Sequence, residues 1–380
     1  MDTQVAQGTI VTPNAGMNEP LPPPASLVGP LAWLRQNLFS SIGNTVLTIL
    51  GLLLIYAILK PFLDWAIFSA VWSGPDGSVC RVEGTGACWP FVFAKFGQFM
   101  YGRFPDAERW RVNLTYALAL AGVVPLMIPS VPGKMWNAVY VFVIFPIIAY
   151  WLLTGGIFGL PIVETQYWGG LLITLVVATV GITMSFPIGI ILALGRRSKM
   201  PLVKWCSIAF IEFVRGVPLI TILFMSSVML PLFLEHGTNP DKLLRALIGV
   251  SLFAGAYMAE TVRGGLQAIP RGQVEAAEAL GLSYGKTMGL VVLPQALKHV
   301  IPNIVSEFIG LFKDTSLVLI IGLFDLLGIV QQNMQGDARW FAPSTPMTGY
   351  VFAGLIFWVF CFGMSRYSQF MERKLNTSHR

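Results

Sequence analysis

Eight apolar stretches, most of them near the length of a bilayer crossing, leave this chain little choice of solvent. They run from Ile42 to Phe68, Leu114 to Ile128, Trp136 to Leu153, Gly169 to Leu194, Ile208 to Phe233, Leu244 to Arg263, Ile304 to Leu327 and Thr348 to Met364. A helix needs about 20 apolar residues to span the hydrocarbon, and an isolated strand cannot satisfy its backbone there. The expected fold class is therefore an all-α integral membrane protein with about eight transmembrane helices. The second stretch is short, and Lys60, Pro61 and Asp64 could end the first one early. The aromatic segment Trp89 to Tyr101, interrupted by Lys95, reads as interfacial rather than spanning.

Composition agrees. Hydrophobic residues make up 55% of the 380 and charged ones only 12%, about half the charge fraction of a soluble domain. Mean hydropathy is +0.68 and the sequence pI about 9.2. The surplus of 6 positive charges does not point to nucleic acid, because its basic residues are scattered between apolar runs without an aromatic-basic reading stretch. Residues 1–35, rich in Pro, Gly, Asn and Ala towards their start, read as a disordered cytosolic tail. A basic segment followed by an apolar one, as in a cleavable signal peptide, is not found there.

The basic residues orient the spans. With the N-terminus inside, 13 Lys and Arg fall on inner segments and 8 on outer ones; five of the 8 share one long loop with four acids. Long loops weigh little in the positive-inside rule. Both termini are expected in the cytoplasm. That outer loop, about 73–111, also carries Cys80 and Cys88, which could pair if it faces an oxidising compartment or stay free if not. Cys206 and Cys361 lie in apolar runs and read as inert. The three His residues, His236, His299 and His379, are dispersed, so no metal-ligand cluster is expected.

One inner segment is more than a connector. Ile269 to Pro302 reads IPRGQVEAAEALGLSYGKTMGLVVLPQALKHVIP. It suggests a short helix near Val274 to Leu280, a turn at Gly281, and a second helix starting near Ser283 as N-cap and checked by Pro294. Helices this short need packing to survive, and the small Ala276, Ala277 and Ala279 suit close docking. Glu275, Ala276, Ala277, Gly281, Leu293 and Pro294 together resemble the EAA loop of ABC importer permeases. The flanks EFVRGVPLI (212–220), AYMAETVRGGLQAIPRGQ (256–273) and SEFIGLFKDTSLV (306–318) are similar to permeases for polar amino acids. Val217 departs from that pattern, which has Thr there.

The resemblance implies a five-helix permease domain over 167–374, with its coupling loop at 269–302. Residues 36–166 are then an additional N-terminal membrane region, as in the larger permeases of broad-range amino-acid importers. It implies cytoplasmic ATPase subunits that hold ATP and Mg, a second permease subunit of paralogous type, a periplasmic substrate-binding protein and an amino-acid cargo. The localisation implied is the bacterial inner membrane. No cofactor, metal or nucleic acid is expected in this chain, and no enzymatic activity of its own. GLSYGKT (281–287) imitates a phosphate-binding loop, but the required first Gly falls at Leu280 and no strand precedes it.

Ionisable residues within apolar runs are functional candidates. Glu212 with Arg215, and Glu260 with Arg263, have the spacing of intrahelical pairs and read as structural, the alternative being a gate at the inner mouth. Glu307 and Asp314 are seven apart, two turns on one helical face. With Thr315 and Ser316 they make a polar track, read either as receiving a substrate ammonium group or as pairing with basic residues on neighbouring helices. The competing class, a self-contained secondary transporter or channel, would carry an inverted repeat, and none is visible between the halves.

Overall fold

The computed structural model describes residues 29–234 and 240–376. The tail over residues 1–28, together with His236 and His379, lies outside the described residues. Among those described there is no strand, only two isolated bridges, Val71 with Cys88 and Gly170 with Asp325. The chain is helical, as its apolar patterning requires.

Two compact units divide at Phe68 and Ser69. In the first, α1 (Pro30–Asn37) precedes α2 (Ile42–Leu63), whose N-cap Ser41 accepts the Asn44 amide at 3.1 Å. Pro61 does not end α2; the helix runs on through a π turn, Asp64–Phe68.

The second unit holds α3 (Trp89–Tyr101), α4 (Arg109–Met127), α5 (Lys134–Thr154), α6 (Leu171–Arg196), α7 (Pro201–Gly216) and α8 (Leu219–Phe233). There follow α9 (Lys242–Ala268), α10 (Arg271–Ala279), α11 (284–314), α12 (Leu326–Gly336) and α13 (Thr345–Asn376). Among the described residues, six helices are long and apolar enough to cross a membrane: α2, α4, α5, α6, α9 and α13. The bent pair α7–α8 makes a seventh when taken as one span. The expected count of eight is not reproduced. The stretch from Ile304 to Leu327 is α-helical only to Asp314 and then tightens into a 3-10 segment, Thr315–Ile321.

The stretch from Ile208 to Phe233 is likewise not one helix. It breaks between Gly216 and Leu219, where α7 and α8 diverge by 109°. Pro218 is the cause. It pushes the preceding Val217 into extended conformation, φ −111° and ψ 136°, because a proline ring clashes with a helical predecessor.

The short second stretch gains length from its polar flank: helical structure begins at Asp106 and carries Arg111 inside. Arg111 is fully buried, donating to the carbonyls of Leu152, Leu153 and Pro161 and pairing with Glu108 at 3.3 Å. A buried guanidinium survives only with its donors met, and here the end of α5 and the loop after it meet them.

Three apolar clusters stack through this unit. One includes Phe104, Val112, Leu172, Leu223, Val250 and Leu311 and joins α4, α6, α8, α9 and α11. A second gathers Phe91, Phe99, Val330, Trp340 and Phe352 from α3, α12, α13 and their loops. The third, with Ile211, Met258, Val262, Met288, Val292 and Ala296, binds α7, α9 and the start of α11. Helix α9 is the hub, packing most extensively against α6 and next against α11. At the junction of α3 with α6 the backbones nearly touch. A Cβ on Gly170 would lie 2.2 Å from the Phe99 carbonyl, so only glycine fits.

Candidate functional site

Between α6, α9 and α11 lies a cavity of about 260 Å³. Glu307, Gly310, Leu311 and Asp314 of α11 line one side, Tyr257 and Met258 of α9 another, and Ser185 of α6 a third. The two-turn spacing read in the sequence does bring Glu307 and Asp314 to one space. Glu307 Oε1 accepts the Thr261 hydroxyl, while its Oε2 is buried with no hydrogen-bond partner. A buried carboxylate oxygen left in that state costs at least ~1–3 kcal/mol, so the site retains an unused acceptor for a donor to occupy.

Thr315 and Ser316 do not join the lining. The 3-10 turn that follows Asp314 commits their hydroxyls to the Phe312 and Lys313 carbonyls, at 2.8 and 2.9 Å. Sequence reading, in turn, overlooked Ser185, Tyr257 and Thr261. Polar residues inside apolar runs were the available signal, but helical phase alone could not say which neighbour each would meet.

Just beyond the cavity along α9 lies a five-membered charge network. Arg196 reaches Glu212 at 2.8 Å and Glu260 at 3.6 Å; Arg215 lies 3.8 Å from Glu260, and Arg263 pairs with Glu260. The intrahelical pair Glu260–Arg263 is as expected. The Glu212–Arg215 pair is absent, since Glu212 turns to Arg196 on α6 and Arg215 to α9. An i,i+3 pair contributes only ~0.2–0.5 kcal/mol, so a guanidinium from a neighbouring helix outcompetes it. Arg215 also stacks over Tyr257, 5.6 Å from the ring centre, and so connects the network to the cavity wall.

The segment after α9 takes the helix–turn–helix form. At the end of α10, Gly281 N–H donates to Glu278 O at 2.9 Å and Leu282 N–H to Ala277 O at 3.1 Å, with Gly281 at φ +76°. This is a Schellman turn, whose left-handed residue glycine tolerates best. Ser283 opens the next helix in extended conformation, without a side-chain capping bond.

Pro294 does not check that helix. Tyr284–Lys286 runs through a π segment, Thr287–Val292, into Leu293–Asp314 without interruption. The π segment spans Leu290, whose carbonyl is the one Pro294 has no N–H to reach. Helix α11 is therefore continuous from the turn to the cavity. At 1.5 Å per residue, Tyr284 and Glu307 stand roughly 35 Å apart along it.

Ala277 is buried against the rest of the unit, and Leu293 is half-buried. Glu275, Ala276 and Pro294 are exposed. Leu280, Tyr284 and Leu290 project apolar surface alongside, at 82%, 64% and 71% exposure.

On the other side of the unit, Cys80 and Cys88 are joined in a disulfide, and both are buried. Lys95 of α3 pairs with Asp337 at 2.7 Å, and Arg81 donates to the carbonyls of Phe341 and Ala338. The loop before α3 is thus clamped onto the loop between α12 and α13. Arg339 and then Lys95, by hydrogen bonding, hold the Asp337 carboxyl below the usual carboxylate range.

Residues 185–377, slightly more than half of the chain, match the family described as binding-protein-dependent transport system inner membrane component. The inner membrane amino-acid ABC transporter permease protein YhdY of Escherichia coli is 55% identical over 91% of this chain and 93% of its own length. The glutamate/glutamine/aspartate/asparagine transport system permease protein BztC of Rhodobacter capsulatus is 40% identical over 96% of this chain and 98% of its own. A solved amino acid ABC transporter with histidines is similar at TM-score 0.47 and 29% identity, over 54% of this chain and 92% of that one. The family match and the two full-length relatives agree with the apolar helices and the EAA turn: the chain belongs to the inner membrane component family of binding-protein-dependent transport systems and is a multi-pass permease of the amino-acid ABC transporter type.

Proposed function

We propose that this permease forms an amino-acid path with a second, paralogous permease subunit, and that its EAA turn couples the path to a cytoplasmic ATPase. One observation carries the reading: α11 is one continuous helix with an exposed turn at one end and two cavity carboxylates further along. Closure of an ATPase groove around Glu275, Ala276, Ala277, Gly281, Leu293 and Pro294 would move Glu307 and Asp314 with it. A periplasmic binding protein would deliver the amino acid, and ATP and Mg would be held by the ATPase. Both termini and the EAA turn would face the cytoplasm, and the disulfide loop the periplasm. The names of the relatives favour polar amino acids as cargo.

An amino acid sheds much of its water to cross, so fixed partners must replace it. An ammonium group is suited to carboxylates, and Glu307 Oε2 is an acceptor without a donor. Glu307→Gln and Asp314→Asn keep shape and remove charge. In proteoliposomes holding the whole transporter, each should weaken amino-acid uptake by a factor of about 10². Assembly and basal ATP hydrolysis should stay near those of the unmodified protein. Wild-type uptake by both variants would place the cargo on the partner subunit; failure of both to assemble would make the acids structural.

A further inference from the structure

A second space, a cleft of about 530 Å³, opens beside the first turn of α9, between α8 and the 3-10 segment Thr315–Ile321. Phe224, Val228, Pro231 and Ile321 form apolar walls, and Lys242 and Arg245 supply its charge. These two cations sit where a helix least favours them, since the dipole at an N-terminus is positive. The nearest carboxylate in sequence is already engaged: Asp241 accepts the Leu243 and Leu244 amides and the Thr165 hydroxyl. Among the described residues, neither Lys242 nor Arg245 has a carboxylate within ion-pair distance. Arg245 donates one terminal N–H to the Ser227 carbonyl, and its Nε–H is buried with no acceptor.

We propose that Lys242 and Arg245 form an oxyanion-binding site at this end of α9, made for a carboxylate or a phosphate group. A guanidinium edge presents two parallel donors that match such a group, and a lysine adds a mobile point charge. Arg245 is half-buried and Lys242 exposed at the cleft mouth, so an arriving anion meets the lysine first and the guanidinium deeper in. Two sources carry this chemistry at an outer membrane face: the headgroup of an anionic lipid and the carboxylate of an arriving amino acid. Only the side of the membrane rests on the topology proposed above.

The test uses the purified whole transporter with Lys242→Gln, Arg245→Gln and Arg245→Lys, the last keeping charge but losing the two-donor edge. Retention of phosphatidylglycerol is read by native mass spectrometry, and the half-saturation of L-glutamate uptake is read in phosphatidylcholine liposomes. If a lipid occupies the site, phosphatidylglycerol stays on the unmodified protein and its retention falls about tenfold or more in both Gln variants. If the cargo occupies it, lipid retention is equal but half-saturation rises by that factor. Arg245→Lys should fall between, and thermal unfolding should match the unmodified protein, since a folding defect would lower all readings together. Equal retention and equal half-saturation in all four proteins overturn the site. So does phosphatidylglycerol binding that appears only after Glu235→Gln. Glu235, seven residues before Lys242 and outside the described residues, would then be the anion. Labelling of this end of α9 from the cytoplasm, with binding intact, would reject the topology and leave the site standing.

Discussion

Gly281 is the residue on which the coupling turn depends. Its φ of +76° lies in the left-handed region, yet a Cβ there meets nothing within 4 Å. The objection to a side chain is therefore backbone strain alone, which separates geometry from packing. Gly281→Ala should cost about 1 kcal/mol and Gly281→Val more, because β-branching resists that conformation. Uptake and stimulated ATP hydrolysis should fall in that order, while membrane insertion, followed by fractionation, stays normal. Uptake unchanged in Gly281→Val would remove the turn from the coupling argument. Asp337 supports a pH prediction. Its carboxyl is held below the ordinary range by Arg339 and Lys95, so the stabilisation is present above the unfolded pKa and is lost as pH falls through the folded one. The drop in Tm caused by Asp337→Asn should be the same from pH 8 to pH 5 and shrink only below the ordinary carboxylate range. A drop that changes between pH 7 and pH 5 would mean that another group governs the clamp.

Among the elements, the clamped loop and the broken helix carry separate consequences. The disulfide closes a short loop, with a sequence separation of 8. Closing a loop of that size removes roughly 2–3 kcal/mol of chain entropy from the unfolded state. Replacing Cys80 and Cys88 by Ser should lower the thermal midpoint and admit protease to the stretch before α3, with α6 to α11 still folded. Protection identical to that of the oxidised protein would show that Lys95–Asp337 and Arg81 hold the loop unaided. The α7–α8 break rests on Pro218, and Pro218→Ala removes the clash that keeps Val217 extended. The 109° bend then loses its local cause, and any tendency toward a straight helix would pull Arg215 away from Glu260. A fall in uptake with normal insertion is the expected reading, since the network at that end ties α6, α7 and α9 together.

At the scale of the molecule the first question is topology. With Cys206 and Cys361 replaced, Phe341→Cys, at an exposed position, should react with an impermeant thiol reagent in spheroplasts. Gly285→Cys should react only after lysis. The reverse pattern would turn the permease over and sink the coupling role. The membrane class, the helical content and the EAA turn were legible in the sequence because each depends on local facts: apolar length, the need to satisfy backbone groups in lipid, and a glycine after a helix. The co-location of Glu307 and Asp314 was legible for the same reason, since seven residues are two turns of any helix. What the sequence could not decide was which neighbour a polar group meets. Glu212 chose Arg196 over Arg215, Thr261 took Glu307, and Arg111 was buried under carbonyls some 40 to 50 residues away in sequence. The prolines divided likewise: Pro218 broke a span, while Pro61 and Pro294 stayed inside continuous helical stretches. A local rule states which group a residue leaves unpaired or which clash it imposes, but which distant residue meets a polar group is decided only when the helices pack together.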